Sequence, residues 1–247
     1  MMDAVHGQET TSLYVAPPPE RPFSQEVGRD PGRLRIAFTD RSPSGEAIDP
    51  EIAAAVRDVA AMLGNLGHHV EERAPSLSAD PGAVMAVIVG ANTALTVRMA
   101  EAVFGRQMTG DDFEALTMAM SHNSHKTSAT DYVAAQLDAF RIARSLAEFF
   151  ETCDIFLCPT LCLPPVKIGE LDTMANDLSG ITPLLRRYMP ATSMFNMSGQ
   201  PAMSVPLAWN HAGLPRGMMF SAGLGDEATL FRLAGQLEQV RPWRDKL

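Results

Sequence analysis

Apolar positions recur along the chain with two periods, and the two alternate. Leu34-Arg35-Ile36-Ala37-Phe38 has the two-residue alternation of a strand. A turn is expected at Ser42-Pro43-Ser44-Gly45. Asp49-Pro50-Glu51 then reads as a helix start. Asp49 can cap, Pro50 suits the first helical position, and Glu51 faces the positive end of the helix dipole. Ile52, Val56, Val59, Leu63 and Leu66 mark one apolar face, and Gly67 closes the helix. His69 to Arg73 reads as a second strand with Val70 inward. Strand, helix and strand of these lengths make a βαβ unit, hence a parallel pair with a right-handed crossover.

The pattern then turns helical. A long apolar helix is expected from Pro81 to about Arg106, with Gly90 as its weak point. Residues 112 to 120 suggest another, and 122 to 128, with His122 and His125, suggest a loop. Thr130-Asp131 starts a further helix, with Val133, Leu137, Phe140, Ile142 and Leu146 assigned to its buried side. Asp154-Ile155-Phe156-Leu157-Cys158 is a continuous apolar run stopped by Pro159, the signature of a central strand buried on both faces. Residues 159 to 201 hold six prolines and read as one long irregular stretch serving a site or a lid. Ala202 to Leu207 and Gly217 to Ser221 form an expected antiparallel pair around a turn at Gly213-Leu214-Pro215. Asp226-Glu227 opens a last helix with Leu230, Leu233, Ala234 and Leu237 inside. No repeat recurs at a fixed period.

The beginning of the chain reads differently. Residues 1 to 7 resemble the last turn of a helix closed by Gly7, and a single turn is not stable alone. The expectation is a truncated helix remnant whose body lies upstream. Residues 8 to 32, with Pro17-Pro18-Pro19, read as a linker, which leaves 33–247 as the folded portion.

Composition narrows the function classes. Of 247 residues, 46% are hydrophobic and 20% charged, as in ordinary globular chains. A net charge of -9 argues against nucleic acid, whose phosphates need clustered Lys and Arg. No run of the roughly 18–20 apolar residues of a membrane span stands out in the pattern, so no membrane is expected. Cys153, Cys158 and Cys162 are odd in number and crowded together, which fits reduced thiols and a cytoplasmic setting.

Candidate chemistry is sparse. His68-His69 point two ways on a strand, and His122 with His125 lack a third ligand, so no metal is assigned. The cysteines have no base beside them in sequence and read as small buried apolar residues. Dinucleotide, Walker, zinc-protease and Gly-x-Ser-x-Gly motifs are absent, and no cofactor is assigned. The residues alone give an α/β domain with a proline-rich functional loop.

An ordered set of short motifs adds to this. Cys158-Pro159-Thr160 with Pro164-Pro165, then Phe195-Asn196-Met197-Ser198-Gly199-Gln200-Pro201-Ala202 running into Ser204-Val205-Pro206-Leu207, resembles the amidase-signature family. Gly213-Leu214-Pro215 with Gly217, Gly225-Asp226-Glu227, Leu237-Glu238 and Pro242-Trp243 continue the match in order. The Asp226 to Leu230 run and the proline-rich start also resemble the bacterial 6-aminohexanoate cyclic-dimer hydrolases within it. The resemblance implies an α/β fold with a mixed sheet flanked by helices, of which this chain would be the C-terminal portion.

The resemblance also implies hydrolysis of linear or cyclic amides by a serine, a bridging serine and a lysine, all within a Gly/Ser-rich signature. No Gly-Gly-Ser-Ser-Gly-Gly-like run occurs here, so no catalytic residue is carried over. Asn196, Gly199, Thr160 and Asn92 are the candidates for the wall of a substrate pocket. Asn196 and Gly199 also have plain structural readings, in a turn and at a positive φ. Arg187-Tyr188-Met189-Pro190 stands where members acting on charged tRNA usually carry an Asp, so a small-amide hydrolase is the nearer relative. Three expectations stay open: an inactive portion of an amidase, one half of a split amidase needing a separate N-terminal chain, or a non-catalytic binding module. Homodimer pairing is a further expectation.

Overall fold

The computed structural model describes residues 1–12, 15–42 and 45–246; the expected turn at Ser42–Gly45 falls largely outside them. Its strands are β1 (Arg35–Phe38), β2 (His69–Glu72), β3 (Ile155–Pro159), β4 (Ala202–Trp209) and β5 (Pro215–Ala222). They form one mixed sheet in the order β2-β1-β3-β5-β4. β1 pairs in parallel with both β2 and β3, whereas β5 pairs antiparallel with β3 and β4. The helices are α1 (Met2–Val5), α2 (Pro50–Asn65), α3 (Pro81–Phe104), α4 (Ala115–Ser124), α5 (Ala129–Phe150), α6 (Ile181–Tyr188), α7 (Thr192–Ser198) and α8 (Glu227–Val240).

The alternation of strand side chains builds two cores, one on each face. Ile36, Ile155, Leu157, Leu207, Met218 and Phe220 pack under α2 and α8. Ala37, Phe156, Cys158 and Met219 pack under α3, α5 and α7. The helices start where their caps dictate. Asp49 accepts from the Glu51 and Ile52 amides, Asp226 from Thr229, and Ser128 forms a reciprocal capping box with Asp131.

Several expectations need correction. On α5 the buried positions are Ala135, Ile142, Leu146 and Phe149, while Val133, Leu137 and Phe140 are exposed. The small side chains of Ala135 and Ala139 let α5 approach its neighbours closely, and that packing outweighs the larger apolar stripe beside it. The irregular stretch 159–201 contains α6 and α7. Pro183 falls in the first turn of α6, where its missing N–H is not needed, so it does not break the helix. α4 runs to Ser124, placing His122 in its last turn rather than in a loop. Finally, α3 is 24 residues long and holds an 18-residue stretch of mean hydropathy 1.6, long and apolar enough to cross a membrane. Its Leu95, Met99, Val103 and Phe104 are exposed.

The proline-rich start lies against α8. Asp3 accepts from the Phe23 and Ser24 amides, and the Phe23 ring sits 5.4 Å from Phe231. A Cβ on Gly235 would meet the Gly28 amide nitrogen at 2.8 Å, so α8 leaves room only for backbone there. Glu26 is 1% exposed and accepts from Arg232 Nε at 2.6 Å, with Arg21 at 3.5 Å and Arg29 at 3.6 Å. The Arg232 hydrogen bond holds the Glu26 carboxyl below its ordinary value. His68 completes the frame. Its Nδ1 accepts from the Leu34 amide at 3.2 Å, so Nε2 carries the proton it donates to Gln236 Oε1 at 2.9 Å.

Removing Arg232 leaves a buried carboxylate short of its main partner. Arg232→Met is expected to destabilise the chain by about 3 kcal/mol in urea unfolding. Because the folded-state value of Glu26 is lowered, its contribution is complete above the unfolded value of 4.5 and fades as pH falls through the folded one. The gap between wild type and Glu26→Gln should therefore be widest near neutrality and close in acid.

Candidate functional site

Three parallel strands end on one side of the sheet, and open α/β sheets bind ligands beyond the carboxyl ends of such strands. A cavity of about 500 Å³ lies there, lined by Thr39, Arg41, Leu77, Ala79, Asp80 and Phe156. Thr39 is buried and its Oγ1 accepts from the Arg41 amide at 3.2 Å. A second cavity of about 290 Å³ is mainly apolar, lined by Met85, Val89, Met120, Leu185, Met189 and Pro190. Both cavities include Asp80 and Pro81, at the start of α3. Asp80 accepts from the Gly82 amide at 2.9 Å and faces Arg186 of α6 at 3.5 Å. The two compartments thus adjoin at an exposed ion pair, one side of mixed polarity and the other apolar.

The four sequence candidates sit on three elements. Asn196 is exposed on α7, with no partner among the described residues. Gly199 closes α7 in the left-handed region at φ 78, and its amide donates to the Phe195 carbonyl at 3.0 Å. Thr160 follows β3; its amide donates to the Gly217 carbonyl at 3.0 Å and its Oγ1 bonds Ser204 Oγ at 2.6 Å. Asn92 is exposed on α3, and its side-chain amide donates to the Ile88 carbonyl one turn back at 2.8 Å. None of the four lines the two cavities.

Residues quoted in the sequence motifs, but not singled out there as site candidates, complete these positions. Ser204 and Gly217 close around Thr160: a Cβ on Gly217 would stand 2.6 Å from Ser204 Oγ and 2.8 Å from Thr160 Oγ1. Ser198 Oγ, Gln200 Oε1 and Ser221 Oγ are buried without partners among the described residues. They surround the α7–β4 junction, since Ser221 pairs across from Ala202. Buried unpaired polar atoms are rare enough to mark a place of interest. Nothing in a run such as Met218–Ser221 signals this.

Side-chain chemistry is equally informative. All three thiols are buried. Burial pushes Cys153 and Cys162 up to about 11, and Cys158 higher still. The three lysines of the chain, Lys126, Lys167 and Lys246, are all exposed. Among the described residues no group of three or more His, Cys, Asp or Glu could hold a metal ion.

The sequence model of the family described as Amidase matches residues 1–231. The chain belongs to the amidase family. Among its relatives, the 6-aminohexanoate-cyclic-dimer hydrolase of Pseudomonas sp. (strain NK87) is 31% identical over 98% of this chain and 51% of its own. The putative amidase AmiC of Mycobacterium leprae is 34% identical over 85% of this chain and 44% of its own. A solved structure of a 6-aminohexanoate cyclic dimer hydrolase superposes with a TM-score of 0.88 at 30% identity, over 98% of this chain and 52% of the other. A bacterial aryl acylamidase shares the fold, with a TM-score of 0.82 at 21% identity. This amidase chain therefore spans about half the length of the curated relatives it matches.

Two outcomes check the site. Iodoacetamide at pH 8 should modify the folded amidase chain on the order of a hundredfold more slowly than a free thiol, with full reaction after unfolding. Gly217→Ala should cost about 1–2 kcal/mol by forcing Thr160 and Ser204 apart, and adding Ser204→Ala should recover part of it.

Proposed function

We propose that this amidase chain forms the wall and scaffold of an amide-hydrolysing cleft, with the nucleophile and base supplied by polypeptide outside residues 1–247. The observation that carries this reading is the location of the amines. A lysine that activates a serine works from a desolvated position within hydrogen-bond reach of it. Lys126, Lys167 and Lys246 are instead exposed. The buried thiols, held protonated, supply no substitute nucleophile. The missing Gly/Ser-rich run agrees.

Surface area supports the same reading. A folded monomer of 26.7 kDa exposes about 10,700 Å², whereas this chain exposes 14404 Å², an excess of roughly 3,700 Å². The exposed Leu95, Met99, Val103 and Phe104 of α3 belong to that excess. A complementary amidase half is the body that would cover it.

Small linear or cyclic amides are the substrates that fit. Thr39 and Arg41 give the mixed cavity polar groups for an amide, and the methionine-lined one suits an apolar body. Relatives named for the 6-aminohexanoate cyclic dimer, whose body is polymethylene, support that class. Asn196, Gly199 and Thr160 would then stand at the edge of the cleft, with Asn92 on the uncovered face of α3. Buried reduced thiols suit a cytoplasmic setting.

The test is complementation. The chain alone should release no product from a small amide. Mixing it with the complementary half of a full-length relative should raise the rate at least ~100-fold, the scale of general-base catalysis. Turnover by the chain alone would refute the proposal. Binding of the amide with no turnover in either case would favour a binding module.

A further inference from the structure

We infer that a third cavity, between α3 and α4, binds a small organic carboxylate. The inference stands apart from the proposed function, since this cavity shares no lining residue with the two at the start of α3.

The cavity follows from where small residues fall. α3 and α4 approach closely where Gly90 faces Ser124, and a Cβ on Gly90 would stand 3.7 Å from the Ser124 Cβ. Beyond that point Ala91 and Ala94 are too short to fill the space between the helices, and about 360 Å³ opens. Small-molecule pockets have this scale.

Its polar groups are mostly of one kind. Arg98 of α3 and His122 and His125 beside the end of α4 all line it. None of the three side chains has a hydrogen bond or ion pair among the described residues. Glu101 is the one carboxylate in the lining, and its Oε1 already accepts from the Met108 amide at 3.2 Å. The His122, Asn123 and Ser124 carbonyls, which end α4, accept from the His125, Lys126 and Thr127 amides at 3.2, 3.1 and 3.0 Å. In a chain of net charge -9, a guanidinium and two imidazoles on one cavity reverse the sign locally. The imidazoles belong to no metal-binding group among the described residues.

Two features select a carboxylate. The guanidinium fork matches the paired oxygens of a carboxylate. Leu95, Val97 and Met118 give the cavity an apolar side, which favours a carbon body over an inorganic oxyanion. Arg98, Glu101, His122 and His125 are the charged or titratable groups lining the cavity among the described residues. Imidazole gains its charge as pH falls below neutrality, so an anion should bind more tightly there.

The probe is hexanoate, titrated into the chain by calorimetry while the imidazole proton resonances of His122 and His125 are followed by NMR. Hexanoate should bind and shift both sets of resonances. Hexylamine and inorganic phosphate should bind at least ~10-fold more weakly, and Arg98→Gln should weaken hexanoate at least ~10-fold, the scale of a charge-assisted bidentate pair. Hexanoate should bind at least ~3-fold more tightly at pH 6 than at pH 8, and the double variant His122→Gln, His125→Gln should lose that difference. Arg186→Gln, at the ion pair between the other two cavities, should change nothing. No binding of hexanoate, binding that leaves the His122 and His125 resonances unmoved, or binding unaffected by Arg98→Gln would overturn the site. Phosphate binding as tightly as hexanoate would overturn the carboxylate as its ligand. Binding abolished by Arg186→Gln and untouched by Arg98→Gln would place the carboxylate in the cleft instead.

Discussion

Five residues hold the architecture together. β3 pairs in parallel with β1 on one side and antiparallel with β5 on the other, so both halves of the sheet meet on it. Every residue of β3 is buried, and its side chains feed both cores, Ile155 and Leu157 one way, Phe156 and Cys158 the other. Its register is fixed just outside the strand. Asp154 accepts from the Arg35 amide at 2.7 Å and from the Arg35 guanidinium at 2.6 Å. Once β3 is placed, the carboxyl ends of β1 and β3 define where the cavity at Thr39 and Arg41 opens, and Thr160 emerges against Gly217.

That frame is complete through its middle and open at one side. The β2 edge is closed by charge, and the segment before β1 is fastened to α8 through Phe23, Glu26 and Gly28. The β4 edge, the outer face of α3 and the α7–β4 junction are not closed in the same way. Those three places carry, respectively, an uncharged strand, an exposed apolar stripe and buried polar atoms without partners among the described residues. The proposed arrangement, in which the reacting groups arrive from the uncovered side, would account for all three together.

Much of the fold was legible in the sequence because local chemistry specified it. Asp49-Pro50 and Asp226 announce helix starts by capping, and the apolar run at 154–158 announces a strand buried on both faces. The errors arose where tertiary packing decided. Ala135 and Ala139 take the buried side of α5 because they are small, and a hydrophobicity pattern favours Val133, Leu137 and Phe140. Prolines concealed α6 and α7 by suggesting irregular chain, although Pro183 sits where a helix tolerates it. Glu26 reads as a surface charge until Arg232, 206 residues away, is brought to it. At the candidate site the sequence supplied Thr160 and Asn196 through family resemblance. The roles of Ser204 and Gly217 beside Thr160, and the Asp80–Arg186 pair, emerge only through contacts between distant segments.

The central claim is that the hydrolytic groups are not among residues 1–247. The most direct measurement is mass spectrometry of the chain after treatment with a fluorophosphonate probe, which marks serines activated by a base. The account predicts no modified serine in this chain. A stoichiometric adduct on one of its serines, lost when a neighbouring lysine is replaced, would contradict it.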